Sequence, residues 1–112
     1  MFSDELVKLP EEIKAKEAEL LAISQQILLK KREIDLWELS ESRKIAEAVD
    51  PENKKLYPNE TIRTAELESR KPSKREFYQE LSDLDYKKKV EEIELNYLNN
   101  KFKVYKTILE VK

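Results

Sequence analysis

Leu6, Ile13, Leu20, Ile27 and Ile34 recur at intervals of seven residues, and Leu9, Ile23 and Trp37 each follow a member of that series by three. A strict seven-residue apolar period suits a helix that keeps one face on a partner, because an α-helix drifts by about 20° per heptad unless supercoiling holds the seam in line. Lys16 and Lys30 interrupt the companion position. A second array closes the chain: Phe77, Leu81, Leu84, Leu95, Leu98, Phe102, Tyr105 and Leu109 keep a three-four spacing, with Lys88 and Glu91 as polar interruptions of the seam. Two long amphipathic helices are the expectation.

Each helix carries a further apolar face. On the second, Tyr86, Val90, Ile93, Tyr97, Val104 and Ile108 lie roughly 150° around from the seam. On the first, Ala15, Ala18, Ala22, Leu29, Leu36, Leu39 and Ala46 form such a face, with Leu21 and Leu28 at its edge. One partner helix cannot cover both sides. The residues expected in an interface between copies are therefore Leu29, Leu36, Val90, Ile93 and Tyr97, since soluble monomers seldom expose such patches.

Composition narrows the alternatives. Charged residues make up 41% of the 112, hydrophobic residues 39%, and Gly is absent; ordinary domains are about 25% charged. Without Gly, tight strand hairpins and Gly-rich phosphate loops lose the residue they most often need. Without Cys or His, disulfides, thiol chemistry and the commonest zinc sites are excluded. A net charge of -2 and a pI near 5.4 argue against a globally basic nucleic-acid binder. No apolar run approaches the roughly 20 residues of a membrane span. Met1-Phe2-Ser3-Asp4-Glu5 lacks a basic region followed by an apolar core. The expected location is the cytoplasm, with no membrane partner. Richness in Lys and Glu fits a thermophilic source and a coiled coil alike.

Local signals set the expected boundaries. Leu9-Pro10-Glu11-Glu12 reads as a helix start, with Pro10 at the first helical position and carboxylates at the positive end of the dipole. Asp50-Pro51 reads as a stop, in which Asp50 caps a short turn. Asn59 is placed to cap a short helix, in which Glu60 with Arg63 and Glu66 with Arg70 stand at helical spacing. Ser73-Lys74-Arg75-Glu76 reads as a capping box, with Pro72 stapled on Phe77. The expected layout is helix 1 over about 10–48, a connector over about 49–72 with a short helix at about 60–70, and helix 2 over about 74–111.

The fold class that follows is all-α: an antiparallel long-helix hairpin, or coiled coil, with a short helical connector, expected to assemble into a helical bundle. Helices of this length run about 55 to 60 Å at 1.5 Å per residue. With the connector as the tip, facing residue numbers should total roughly 120, by equal rise in the two helices. That register sets Ile13 against Leu109, Leu20 against Phe102, Ile27 against Leu95, Trp37 near Leu84, and Lys30 opposite Glu91.

No catalytic constellation is present, so an enzyme is not expected, nor a cofactor or a metal site. A Ser or Thr nucleophile lacks a His base and a Gly elbow, and Glu91, Glu92 and Glu94 read as a solvated face beside Lys87 to Lys89. The five Tyr (57, 78, 86, 97 and 105) read as core and interface rather than a stacking platform. Two basic clusters, Lys30-Lys31-Arg32 and Lys87-Lys88-Lys89, fall side by side in the expected register and are the candidate nucleic-acid-binding residues, although interleaved acids point to weak binding. Arg43, Lys44, Arg70, Lys71, Lys74 and Arg75 form a further group near the connector.

Tyr57-Pro58-Asn59-Glu60-Thr61-Ile62-Arg63-Thr64-Ala65-Glu66, with a Phe/Tyr start to a long helix that ends in Tyr97-Leu98-Asn99-Asn100-Lys101-Phe102, resembles small coiled-coil proteins encoded in bacteriophage and prophage replication or recombination modules. The resemblance spans about residues 30 to 109 and implies a helical hairpin, a genetic neighbourhood and a bacterial host cell, without an activity. It directs attention to Tyr57, Asn59, Glu60 and Arg63 as candidate partner-binding residues. The functional expectation is a non-catalytic, self-associating coiled-coil protein that binds a second protein, an accessory of phage DNA replication or recombination. Direct nucleic-acid binding through the basic belt and connector is the alternative.

Overall fold

The structure, a computed structural model, describes residues 2–111. Helix α1 spans Phe2–Glu47, a turn leads to α2 at Glu60–Arg70, one 3-10 turn covers Lys71–Lys74, and α3 spans Arg75–Val111. The all-α hairpin is as expected, and the short helix has the expected bounds.

Helix α1 starts eight residues before the expected boundary, which leaves Pro10 inside it. A proline there removes one backbone bond and costs about 3 kcal/mol. The compensation is in the seam. Leu9 is 1% exposed and Leu6 half-buried, and burying a side chain of this size returns about 1.5–3 kcal/mol. Asp4 and Glu5 sit in the first turn, where the helix dipole favours them.

The other end of α1 stops as Asp50-Pro51 dictates. The Asp50 carboxylate accepts from the amides of Glu52 (2.9 Å) and Lys54 (2.8 Å). Asn53 takes φ 66°, a left-handed conformation that Asn tolerates better than most residues. A single antiparallel bridge joins Val49 to Lys55. The chain thus reverses here without Gly and without a strand, because Asn53 supplies the positive φ and Asp50 supplies the acceptor.

The capping box does not form. The Ser73 hydroxyl donates to the Arg70 carbonyl at 2.7 Å, and the chain passes from α2 through the 3-10 turn into α3 with its backbone already helical at Arg75. Pro72 fits early in that short turn, as at any helix start. Capping is needed at Asn59 instead, where the chain enters from extended backbone.

The chain divides into two compact units: one holds residues up to Ile27 and from Asp83 onward, the other Leu28–Ser82. In the first, Lys16 reaches Glu91 at 2.7 Å and Glu94 at 2.8 Å, and Lys101 reaches Glu5 at 3.1 Å. In the second, Tyr78 bonds Glu38 at 2.7 Å, Arg70 bonds Glu41 at 3.1 Å, and Lys30 bonds Glu80 at 2.5 Å. Both units are antiparallel. Facing residue numbers total about 107 to 111 for the Lys16–Glu91, Lys30–Glu80 and Glu41–Arg70 pairs, not 120. Ile13 therefore lies level with Leu95 rather than Leu109, and Glu91 answers Lys16, not Lys30. The cause is α2, which already descends beside the end of α1, so the apex of the hairpin is the Asp50–Asn53 turn and not the middle of residues 49–72.

Of the heptad residues of α1, Leu9, Ile23 and Ile27 in the first unit and Ile34 in the second are buried, while Leu6, Ile13, Leu20 and Trp37 are half-buried; Ile45, outside the heptads, is buried in the second unit. The facing residues of α3, among them Leu84, Leu95, Leu98 and Phe102, are only half-buried.

Candidate functional site

Three surfaces compete for a role: the tip of the hairpin, the basic clusters, and the outer faces of the long helices. At the tip, Asn59 enters α2 with φ -134° and ψ 165°, and its side chain accepts from the Ile62 amide at 2.9 Å. The Asn59 carbonyl accepts the first helical bond, from the Arg63 amide at 3.0 Å. Arg63 was expected to recognise a partner and to pair with Glu60. Its guanidinium instead donates to the carbonyls of Tyr57 (2.9 Å) and Pro58 (3.3 Å), acceptors that the turn leaves outside any ladder. Tyr57 and Arg63 are half-buried, while Asn59 and Glu60 are exposed. The four residues are thus brought together, but Asn59 and Arg63 serve first to hold the connector's shape.

Beside them runs a shallow groove of about 340 Å³, lined by Ser42, Ile45, Ala46, Glu60, Arg63, Thr64 and Leu67. Val49, Leu56 and Ile62 are exposed apolar residues of the same tip, which no periodicity marks. Deeper in this unit the Tyr78 hydroxyl is pushed above the usual phenol range by desolvation first and by its bond to Glu38 second. Glu41 is held below the usual carboxylate range by its bonds to Arg70 and Lys44. Arg70 is also held by Glu66 at 2.9 Å, the helical pair read from spacing.

The two basic clusters fall in different units. Lys30-Lys31-Arg32 belongs to the Leu28–Ser82 unit and Lys87-Lys88-Lys89 to the other, and the register inside each sets it against other residues. Lys30 is held by Glu33 at 3.1 Å and by Glu80, and its ammonium lies 5.1 Å from the centre of the Phe77 ring. Lys88 has Glu92 at 4.0 Å. Lys31, Arg32, Lys87 and Lys89 remain exposed. Glu91 and Glu94, expected with Glu92 on a solvated face, instead grip Lys16, whose amine is raised above its ordinary range by those bonds. Among the described residues no group of three or more acidic side chains is placed to hold a metal ion, and no helix is long and apolar enough to cross a membrane.

No family model, curated protein or solved structure matches this chain. Its surface must speak for itself.

The outer faces are where apolar area accumulates. On α3, Tyr86 is 72% exposed, Ile93 69% and Tyr97 63%; on α1, Leu29 is 57% and Leu36 61%. Leu21, Leu28, Leu39 and Val104 are exposed as well, and Val90 is half-buried. The structure thus leaves uncovered the faces that the sequence pattern marks as second stripes. The pattern had more to give on α3. Continued at three-four spacing, the stripe runs Tyr86, Val90, Ile93, Tyr97, Asn100, Val104, Thr107, a complete heptad array with two polar members, Asn100 and Thr107, legible only once the face is known to be free.

Proposed function

We propose that this chain acts by binding rather than by chemistry: a helical hairpin that self-associates through the outer stripes of α1 and α3 and offers its tip to a second protein. The observation that carries this is the balance of apolar side chains. Among the described residues only Leu9, Ile23, Ile27, Ile34 and Ile45 are buried, while more large apolar residues than that lie exposed, most of them on the two stripes.

A setting among phage replication or recombination accessories rests on the sequence resemblance over the connector and the Tyr97 to Phe102 segment. The nucleic-acid reading loses support from the pairing of Lys30 with Glu80 and Glu33. Sedimentation at tens of micromolar tests the main reading: a dimer or larger species is expected, and Leu29→Glu with Leu36→Glu should reduce its size while the circular dichroism of helix persists. A wild-type chain that sediments as a monomer would overturn it.

A further inference from the structure

The outer stripe of α3 lies wholly within one unit, residues 83 onward, and faces away from the α1 seam. Its members Tyr86, Ile93, Tyr97 and Val104 are exposed in an unbroken heptad array. The geometry points to one occupant: α3 of a second copy, parallel and in register, so that Val90, Ile93, Tyr97, Asn100 and Val104 each meet their own counterparts. This rests on the self-association proposed above and adds its partner helix and direction.

Two independent features choose the direction. The first is charge. Taking Val90, Tyr97 and Val104 as one seam position and Tyr86, Ile93 and Asn100 as the other, Lys89 and Glu94 occupy the flanks. In a parallel pair, flank residues five apart meet across the seam, which brings Lys89 of each copy to Glu94 of the other. Lys89 is exposed and makes no ion pair among the described residues. Glu94 bonds Lys16 through one carboxylate oxygen, and its side chain remains about half exposed, at 51%. The antiparallel arrangement that brings the stripe's centre together, Ile93 on Tyr97, would instead set Lys89 beside Lys103 and Glu94 beside Glu94. Like charges at those positions oppose association. Sliding that arrangement by one heptad one way brings Glu94 to Lys101, which holds Glu5 at 3.1 Å; sliding it the other way brings Glu94 to exposed Lys87 but sets Val104 against Gln79 and Asn100 against Asp83, so the end of the stripe loses the apolar cover that the parallel pair gives it.

The second feature is Asn100. Its side-chain amide makes no hydrogen bond among the described residues, and it sits in the seam. In a parallel in-register pair it meets Asn100 of the second copy, and two amides can donate to and accept from each other. A lone seam Asn is a known device for fixing register and strand number at a cost in stability. In the centred antiparallel pair it would face Val90, and in the one shifted to Lys101 it would face Tyr97; the first leaves a buried amide unmatched, which is penalised.

The chain has no Cys, so single thiols report the pairing cleanly. Val90→Cys and Val104→Cys, each alone and under mild oxidation, are expected to form disulfide-linked dimers in high yield. No single antiparallel register permits both, because the two positions lie 14 residues, about 21 Å, apart. Glu92→Cys, off the stripe, should link far more slowly; an equal rate would show random collision and overturn the pairing. Should one variant lose its helix signal, Ile93→Cys reads the same seam. Lys89→Glu should raise the dissociation constant on the order of ten-fold through two symmetric contacts. An oligomer in which only mixed pairs link, Val90→Cys with Asn100→Cys, Ile93→Cys with Val104→Cys, or Val90→Cys with Ile93→Cys, would overturn the parallel pairing while self-association stands. A monomeric chain would overturn both.

Discussion

Ile45 is the residue on which the position of the tip most depends. It is 1% exposed, lies two residues before the end of α1, and helps line the groove where α2 runs alongside. Ile45→Ala removes three carbon atoms from this contact. At about 0.8 kcal/mol per buried CH₂ the transfer cost is about 2.4 kcal/mol. A cavity contribution is added where the surroundings cannot relax. Here it should be small, because the adjoining groove of about 340 Å³ opens to solvent and lets water or Leu67 move in. The expected loss is therefore about 2.5–3 kcal/mol, at the low end of the 2–5 kcal/mol range for Ile→Ala, and Ile45→Val should cost about 0.5–1.5 kcal/mol. Urea denaturation followed by circular dichroism measures this. Protein concentration must be held fixed, since association contributes to stability. Exposed Leu56 supplies the control, with Leu56→Ala within about 0.5 kcal/mol. An Ile45→Ala protein as stable as wild type with an unchanged denaturant slope would refute the packing of α2 on α1 and with it the register.

Leu98→Ala should cost about 1–2.5 kcal/mol, less than a fully buried Leu because Leu98 is only half-buried; Lys103→Ala should stay within about 0.5 kcal/mol, and equal losses for the two would show the seam face is wrong. Arg63→Ala removes two donors from the Tyr57 and Pro58 carbonyls and should lower stability by about 1–2 kcal/mol in thermal melts, an unchanged melt being the contrary result. The carboxyl of Glu41 is held low by Arg70 and then Lys44, and that of Glu5 by Lys101; their contribution is present above the unfolded value near 4.5 and is lost as pH falls through the lower folded value, so melting temperature should fall below about pH 4.5 and fall less in Glu41→Gln. DNA binding in fluorescence anisotropy should be weak and vanish with added salt, whereas sub-micromolar binding at physiological ionic strength that is abolished by reversing Lys31, Arg32, Lys87 and Lys89 would establish the nucleic-acid reading.

Heptads, the stop at Asp50-Pro51, the Asn59 cap and the bounds of α2 were legible because each is a local matter: a period, or one side chain reaching an amide a few residues away. The start of α1 was not, since Pro10 is the strongest local signal for a first turn and the burial of Leu9 and Leu6 that offsets its cost exists only after folding. Arg63 was misread for the same reason. Its acceptors are main-chain carbonyls of Tyr57 and Pro58, and a guanidinium's preference for them over the carboxylate at helical spacing depends on how the turn aims those carbonyls.

Register is the instructive case, because the sequence offered two answers that local chemistry cannot separate. Lys16 and Lys30 occupy equivalent seam positions 14 residues apart, two whole heptads, so sliding one helix by that amount keeps apolar positions facing apolar positions over the remaining overlap and still sets a lysine against Glu91. A repeat cannot choose between its own translations. What chooses is the tip, and there the decision rests on Asp50, Asn53 and Ile45. The Asx turn and the positive φ at Asn53 reverse the chain within a few residues, and Ile45 then holds α2 against α1, so the returning limb begins at Glu60 rather than after Pro72. With that fixed, Lys16 takes Glu91, and Lys30 is carried to Glu80 and the Phe77 ring. Those seam cations act as a check on register more than as its cause. A lysine in the wrong place would be partly desolvated without a partner, which is a larger penalty than the modest gain from a correct exposed pair. The same logic extends to Asn100 on the outer stripe: a polar amide in a repeating seam separates translations that the apolar residues treat as equal.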